Sequence, residues 1–62
     1  MKRNKLLKHL CKHGCVLLRE GSNHSWWINE SQNKRSAIPR HNEIIDQLAN
    51  KICKDLGIQK IK

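Results

Sequence analysis

Gly21-Ser22-Asn23 stands between two apolar runs, Cys15-Val16-Leu17-Leu18 on one side and Trp26-Trp27-Ile28 on the other. Three consecutive turn-favouring residues between β-branched and aromatic stretches predict an antiparallel hairpin, with strands over 15–20 and 24–29. A second polar turn, Glu30 through Asn33, leads into Lys34-Arg35-Ser36-Ala37-Ile38. This reads as a third strand closed by Pro39, which has no N–H to give to a ladder. The hairpin therefore extends to a three-stranded antiparallel meander.

Such a sheet needs cover, and both ends of the chain supply it. Leu6, Leu7, Leu10 and Cys11 recur at helical spacing between Asn4 and His13, with Lys5, Lys8 and Lys12 elsewhere around the turn. Asn4 is the expected N-cap and Gly14 the left-handed stop. From Glu43 to Leu56, the residues Ile45, Leu48, Ile52 and Leu56 fall on one side of a second helix, flanked by Ala49 and Cys53. Asn42 or a neighbour is its expected cap, and Gly57 its C′ residue. The order is α-β-β-β-α, an α+β fold with both helices on one face of the sheet and the other face open. A chain of 62 residues can bury only one small core. One domain over 1–62 accounts for the pattern, with Lys60-Ile61-Lys62 as a frayed tail. Catalysis on such a domain has to use a shallow surface site, which favours a polymeric substrate.

Thirteen Lys and Arg against five Asp and Glu give a formal charge of +8. A basic balance of this size in one small domain points to a polyanionic partner, nucleic acid ahead of an anionic membrane. Spanning a bilayer takes about 20 consecutive apolar residues, far more than Cys15-Val16-Leu17-Leu18. Met1 to Lys8 is basic but lacks the apolar middle of a secretory signal, so the expected location is the cytoplasm. The odd set Cys11, Cys15 and Cys53 fits reduced thiols in apolar packing better than a disulfide framework. Cys11-x-His13-x-Cys15 does not have the spacing of a structural zinc site, so no metal or cofactor is expected. A nucleophilic cysteine would need a neighbouring base that the spacing does not supply.

His24 follows the turn directly and opens the second strand, where the backbone is fixed and solvent has access. Histidine titrates near neutral pH, so it can take a proton from a ribose 2′-hydroxyl and return one later. The attacked phosphate is the adjacent one, the nucleophile belongs to the RNA, and the route needs no metal. A histidine at this position also suits turn capping or packing beside Trp26. By strand alternation His24, Trp26 and Ile28 share a face, and Ser25 and Trp27 share the other. If Trp26 and Ile28 face the helices, His24 sits at the rim of the core face beside the segment Ile38-Pro39-Arg40-His41-Asn42-Glu43. Trp27 would then lie on the outer face, for an RNA base or a protein partner. The segment after the third strand carries a cation, a second histidine and an expected helix N-terminus, each able to meet a phosphate. RNA is therefore expected at this rim rather than across the middle of the open face. Besides Arg40 and His41, the candidate RNA contacts are Ser22 and Asn23 on the turn and Lys34 and Arg35 on the third strand.

These residues resemble the HicA (YcfA-like) family, the toxin half of bacterial toxin–antitoxin pairs. The likeness runs through the Lys2-Arg3-Asn4-Lys5-Leu6-Leu7-Lys8 opening, the Gly14-Cys15 strand entry, Arg19-Glu20-Gly21-Ser22-Asn23-His24, Ile38-Pro39-Arg40-His41-Asn42-Glu43-Ile44 and Lys51-Ile52-Cys53-Lys54-Asp55-Leu56-Gly57-Ile58. The resemblance implies a fold similar to double-stranded-RNA-binding domains and a ribosome-independent endoribonuclease acting on mRNA, with His24 in the catalytic position. It also implies a HicB-type antitoxin that covers the site. The toxin alone would be monomeric, and its complex with antitoxin of higher order. Two rival functions share the same residues: a non-catalytic double-stranded-RNA-binding module, and an adaptor whose open face binds protein.

Overall fold

A computed structural model describes residues 1–61. The order is α1 (Arg3–Lys12), β1 (Cys15–Glu20), β2 (His24–Asn29), β3 (Lys34–Pro39) and α2 (Asp46–Asp55). The three strands form one antiparallel sheet in the order β1-β2-β3. All three strands lie where the turn chemistry puts them, and β3 takes in Pro39 as its last residue at the sheet edge.

Both helices pack on one sheet face. Leu6 and Leu10 from α1 and Ala49, Ile52 and Cys53 from α2 close over Cys15, Trp27 and Ile38, with Ile44 and Leu56 completing the cluster. Leu6 and Leu10 are fully buried, so deleting either side chain to Ala removes about 2–5 kcal/mol from a small core. Cys15 and Cys53 belong to this core, whereas Cys11 is exposed, contrary to its expected place on the apolar side of α1.

The faces of β2 are the reverse of the conditional assignment above. Trp27 points into the core with Ser25 and Asn29 beside it in alternation, while Trp26 and Ile28 share the open face with His24. Two tryptophans in succession leave the choice of face undetermined locally. It is decided by Ser25 and Asn29, whose polar groups have partners only on the helix side. Asn29 donates its amide to the Leu56 carbonyl at 2.8 Å, and Ser25 bonds to Arg3. The Trp27 indole N–H is buried without a hydrogen-bond partner among the described residues, so this side chain contributes volume rather than polar contact.

In β1 the pairing register shifts between Leu17 and Arg19. The extra residue places Arg19 opposite Trp26 on the open face and Glu20 opposite Ser25 on the helix side. Without the bulge both charged side chains would point the other way.

The helix ends depart from the expected caps. The residue before α1 is Lys2, with no side-chain cap, so Asn4 lies inside the helix rather than capping it. Helix α2 starts at Asp46, three residues after Glu43, and Asn42 does not cap it. Residues 42–44 are held extended by the chain start: Arg3 N–H donates to the Asn42 carbonyl at 2.8 Å and Ile44 N–H to the Met1 carbonyl at 2.9 Å. A Lys2–Glu43 ion pair of 2.7 Å joins the same two segments. As a result Ile44 is buried and Ile45, expected on the apolar side of α2, is 67% exposed. The C-terminal signals hold. Gly14 and Gly57 both have positive φ, and Gly57 N–H to Lys54 with Ile58 N–H to Cys53 forms a Schellman motif. Ile61 packs against the core rather than fraying, while Lys62 lies outside the described residues.

Candidate active site

His24 opens β2 and pairs with Pro39, which ends β3. The turn before one strand and the segment after the other therefore emerge side by side. They enclose a cleft of about 310 Å³ lined by Ser22, Asn23, His24, Pro39, Arg40 and His41. Gly21 N–H donates to the His24 carbonyl at 2.7 Å, which fixes the backbone while the imidazole stays exposed.

Glu20 is the anchor of this cleft. Its Oε1 accepts from the Ser25 hydroxyl at 2.6 Å and from Arg40 Nη2 at 2.8 Å. The Ser25 hydrogen bond, and after it the Arg40 hydrogen bond, hold the Glu20 carboxyl below its usual range, so it stays ionised. Arg40 also donates to the Gly21 carbonyl, and through Nη1 to the Ser22 carbonyl at 3.3 Å. Arg3, from the first turn of α1, donates through Nε to the Pro39 carbonyl at 2.9 Å and through Nη2 to Ser25 Oγ at 3.0 Å. The chain Arg3–Ser25–Glu20–Arg40 thus ties α1, β2, β1 and the segment after β3 around His24.

Of the expected site residues, Ser22, Asn23, His24, Arg40 and His41 meet at one cleft. Lys34 and Arg35 do not. They sit toward the opposite end of β3, five and four strand residues from Pro39, or roughly 17 and 13 Å at the usual rise. Lys34 lies on the helix side near Gly57, and Arg35 pairs with Ile28 on the open face. The N-terminus of α2 is also absent from the cleft, because α2 begins at Asp46 and the six residues that line the cleft end at His41. Arg40 differs from the phosphate clamp that its position suggests. Three of the five N–H donors of its guanidinium are directed to Glu20, Gly21 and Ser22, which leaves two for a ligand.

Arg3, Glu20 and Ser25 went unread as site residues. The only sequence signal for them is a serine between a histidine and two tryptophans in a strand, a poor choice for packing unless its hydroxyl has a partner. Cysteine chemistry has no place here. Burial pushes the Cys15 and Cys53 thiols up, and both lie in the core away from the cleft.

Two exposed imidazoles, a tethered guanidinium and an open cleft form a surface that can exchange protons with, and hold a phosphate of, a chain lying over it. No helix among the described residues is long and apolar enough to cross a membrane. Comparison with curated proteins and with solved structures finds no match. The family model described as the HicA toxin of bacterial toxin–antitoxin systems matches residues 3–58, from the first residue of α1 to just past the end of α2. The chain therefore belongs to the HicA toxin family.

Proposed function

We propose that this toxin is an endoribonuclease of mRNA, with residues 1–62 acting as one domain and His24 as the general base. His24 takes the proton of a ribose 2′-hydroxyl, and the 2′-oxygen attacks the adjacent phosphorus. The bond to the 5′-oxygen breaks as that oxygen receives a proton, leaving a 2′,3′-cyclic phosphate and a 5′-hydroxyl end. His41 is the group we assign to protonate the leaving oxygen. The two free donors of Arg40, with Ser22 and Asn23, meet the phosphate. Lys34 and Arg35 contact RNA further along the chain.

The observation that carries this reading is that His24 and His41 share one solvent-open cleft. Its turn is pinned by Arg40 and its backbone by the strand pairing. Because the nucleophile is the substrate's own hydroxyl, no metal or cofactor enters the route. A HicB-type antitoxin would bind the monomeric toxin in the cytoplasm, cover the cleft and assemble into a higher-order complex.

The test is cleavage of an unstructured RNA by the purified chain in the presence of a chelator, with end analysis of the products. Cyclic phosphate ends are expected, along with a roughly 10²- to 10⁴-fold loss in His24→Ala at unchanged fold. His24→Ala cutting as well as the parent sinks the catalytic assignment. Tight duplex binding with no cleavage by either protein would support the double-stranded-RNA-binding module instead.

A further inference from the structure

The open sheet face is built in cross-strand rows. Val16, Ile28 and Arg35 form the first, Arg19, Trp26 and Ala37 the second, and His24 and Pro39 the third. Trp26 is half-buried, with the Arg19 guanidinium carbon 5.7 Å from its ring centroid. None of these residues is acidic, because the bulge in β1 turns Glu20 to the helix side. An aromatic ring beside one arginine, with a second arginine in the neighbouring row and no acidic residue among them, offers a π-face for a base and cations for the phosphates beside it.

Spacing connects this surface to the cleft. His24 and Trp26 are alternate residues on one face, roughly 7 Å apart at the usual strand rise, which is within reach of a neighbouring nucleotide. The indole edge also lies against the turn that carries His24, since a Cβ built on Gly21 would come within 3.7 Å of Trp26 Cδ1 and Nε1.

We propose that Trp26, with Arg19 beside it and Arg35 one row further along the face, is a stacking subsite for one unpaired base of a single-stranded RNA, next to the nucleotide whose phosphate sits at His24. The base displaces Arg19 from the ring and frees its guanidinium for the phosphate backbone. A base held inside a duplex cannot lie flat on this row, so the subsite selects single strands. The RNA then runs along the open face toward Arg35, not only around the rim. This inference rests on the reading of the cleft as an RNA site but not on cleavage.

The experiment uses the full chain carrying His24→Ala, which binds without cutting, and a mixed-sequence single-stranded RNA hexamer or the same hexamer as a duplex. Tryptophan emission should change on saturation with the single strand, and Trp26 should become protected from acrylamide. Trp27, 8% exposed, reports little of either. Adding Trp26→Leu should weaken single-strand binding roughly tenfold or more, while Trp26→Phe keeps most of the affinity. The duplex should change the emission far less.

Equal affinity of the Trp26→Leu and His24→Ala chains overturns the subsite. So does saturation without any emission change in the His24→Ala chain, a result that does not depend on how Trp26→Leu folds. Emission that responds to an antitoxin-type protein and never to RNA makes this face a protein interface and also overturns it. If the parent chain cuts RNA but Trp26 does not respond, only the subsite fails. If Trp26 responds and the parent never cuts, only the endoribonuclease reading fails.

Discussion

Glu20 takes hydrogen bonds from Ser25 and Arg40, and through Ser25 it is joined to Arg3, so the chain of groups around His24 runs through it. As its carboxyl is held below the usual glutamate value of 4.5 by Ser25 and then by Arg40, folding favours the ionised form. Its contribution is therefore fully present above that value and is lost as pH falls through the lower, folded-state value. We expect the turn to loosen in acid before the core melts. The protection of Gly21 N–H against hydrogen exchange, taken relative to its intrinsic rate at each pH and followed from pH 6 downward, should fall below about pH 4.5 while that of α2 is kept. Equal loss of protection in both would mean that Glu20 has no local role. At neutral pH, Glu20→Gln removes the charge that retains Arg40. RNA cleavage should fall roughly ten- to hundredfold with His24 untouched, because misplacement by about 1 Å is enough to do so. His24 itself was legible as a residue after a turn, but Ser25 and Arg3 were not. Their partnership spans 22 residues of sequence and depends on which way β2 faces.

At the scale of elements, the end of α2 is specified more sharply than its start. Gly57 has φ of +71°, and a Cβ there would meet the Gln32 side chain, whose Nε2 donates to the Gly57 carbonyl at 3.0 Å. Gly57→Ala should cost about 1–2 kcal/mol from the left-handed backbone alone, a drop in Tm on the order of 10 °C in a domain of this size. Asn29→Ala, which leaves the Leu56 carbonyl without its side-chain donor, should cost about 1–3 kcal/mol. Thermal melts of the two variants check both values, and a Tm within 2 °C of the parent in either would refute that cap. The glycine signal was readable because φ is a property of the residue. The start of α2 was not readable, because Asn42 and Glu43 carry good capping and first-turn chemistry and lose it to pairing with the chain start.

For the whole molecule, charge is the property that a partner meets first. With +8 spread over both helices, the cleft and the open face, RNA binding should depend steeply on salt. If about five phosphates are neutralised, log Kd against log salt should have a slope near 3 to 4 in magnitude for a single strand. Arg35→Ala should reduce that slope by somewhat less than one, with little change in the bound sequence. A slope near zero in filter-binding or anisotropy titrations would show that the basic surface is merely solvated.

Short-range chemistry in the sequence was enough for the α-β-β-β-α order, the two polar turns, the glycine stops at 14 and 57 and the position of His24 beside Pro39. Each of these depends on residues within a few positions of one another or on simple strand alternation. The facing of β2, the bulge that carries Glu20 to Ser25, the delayed start of α2 and the capture of Arg40 by the turn were decided only in the folded chain. Each is a contest between two locally acceptable arrangements, Trp26 or Trp27 inward, Asn42 capping or pairing. The winner is the one whose buried polar groups find partners from distant segments, which no local pattern records.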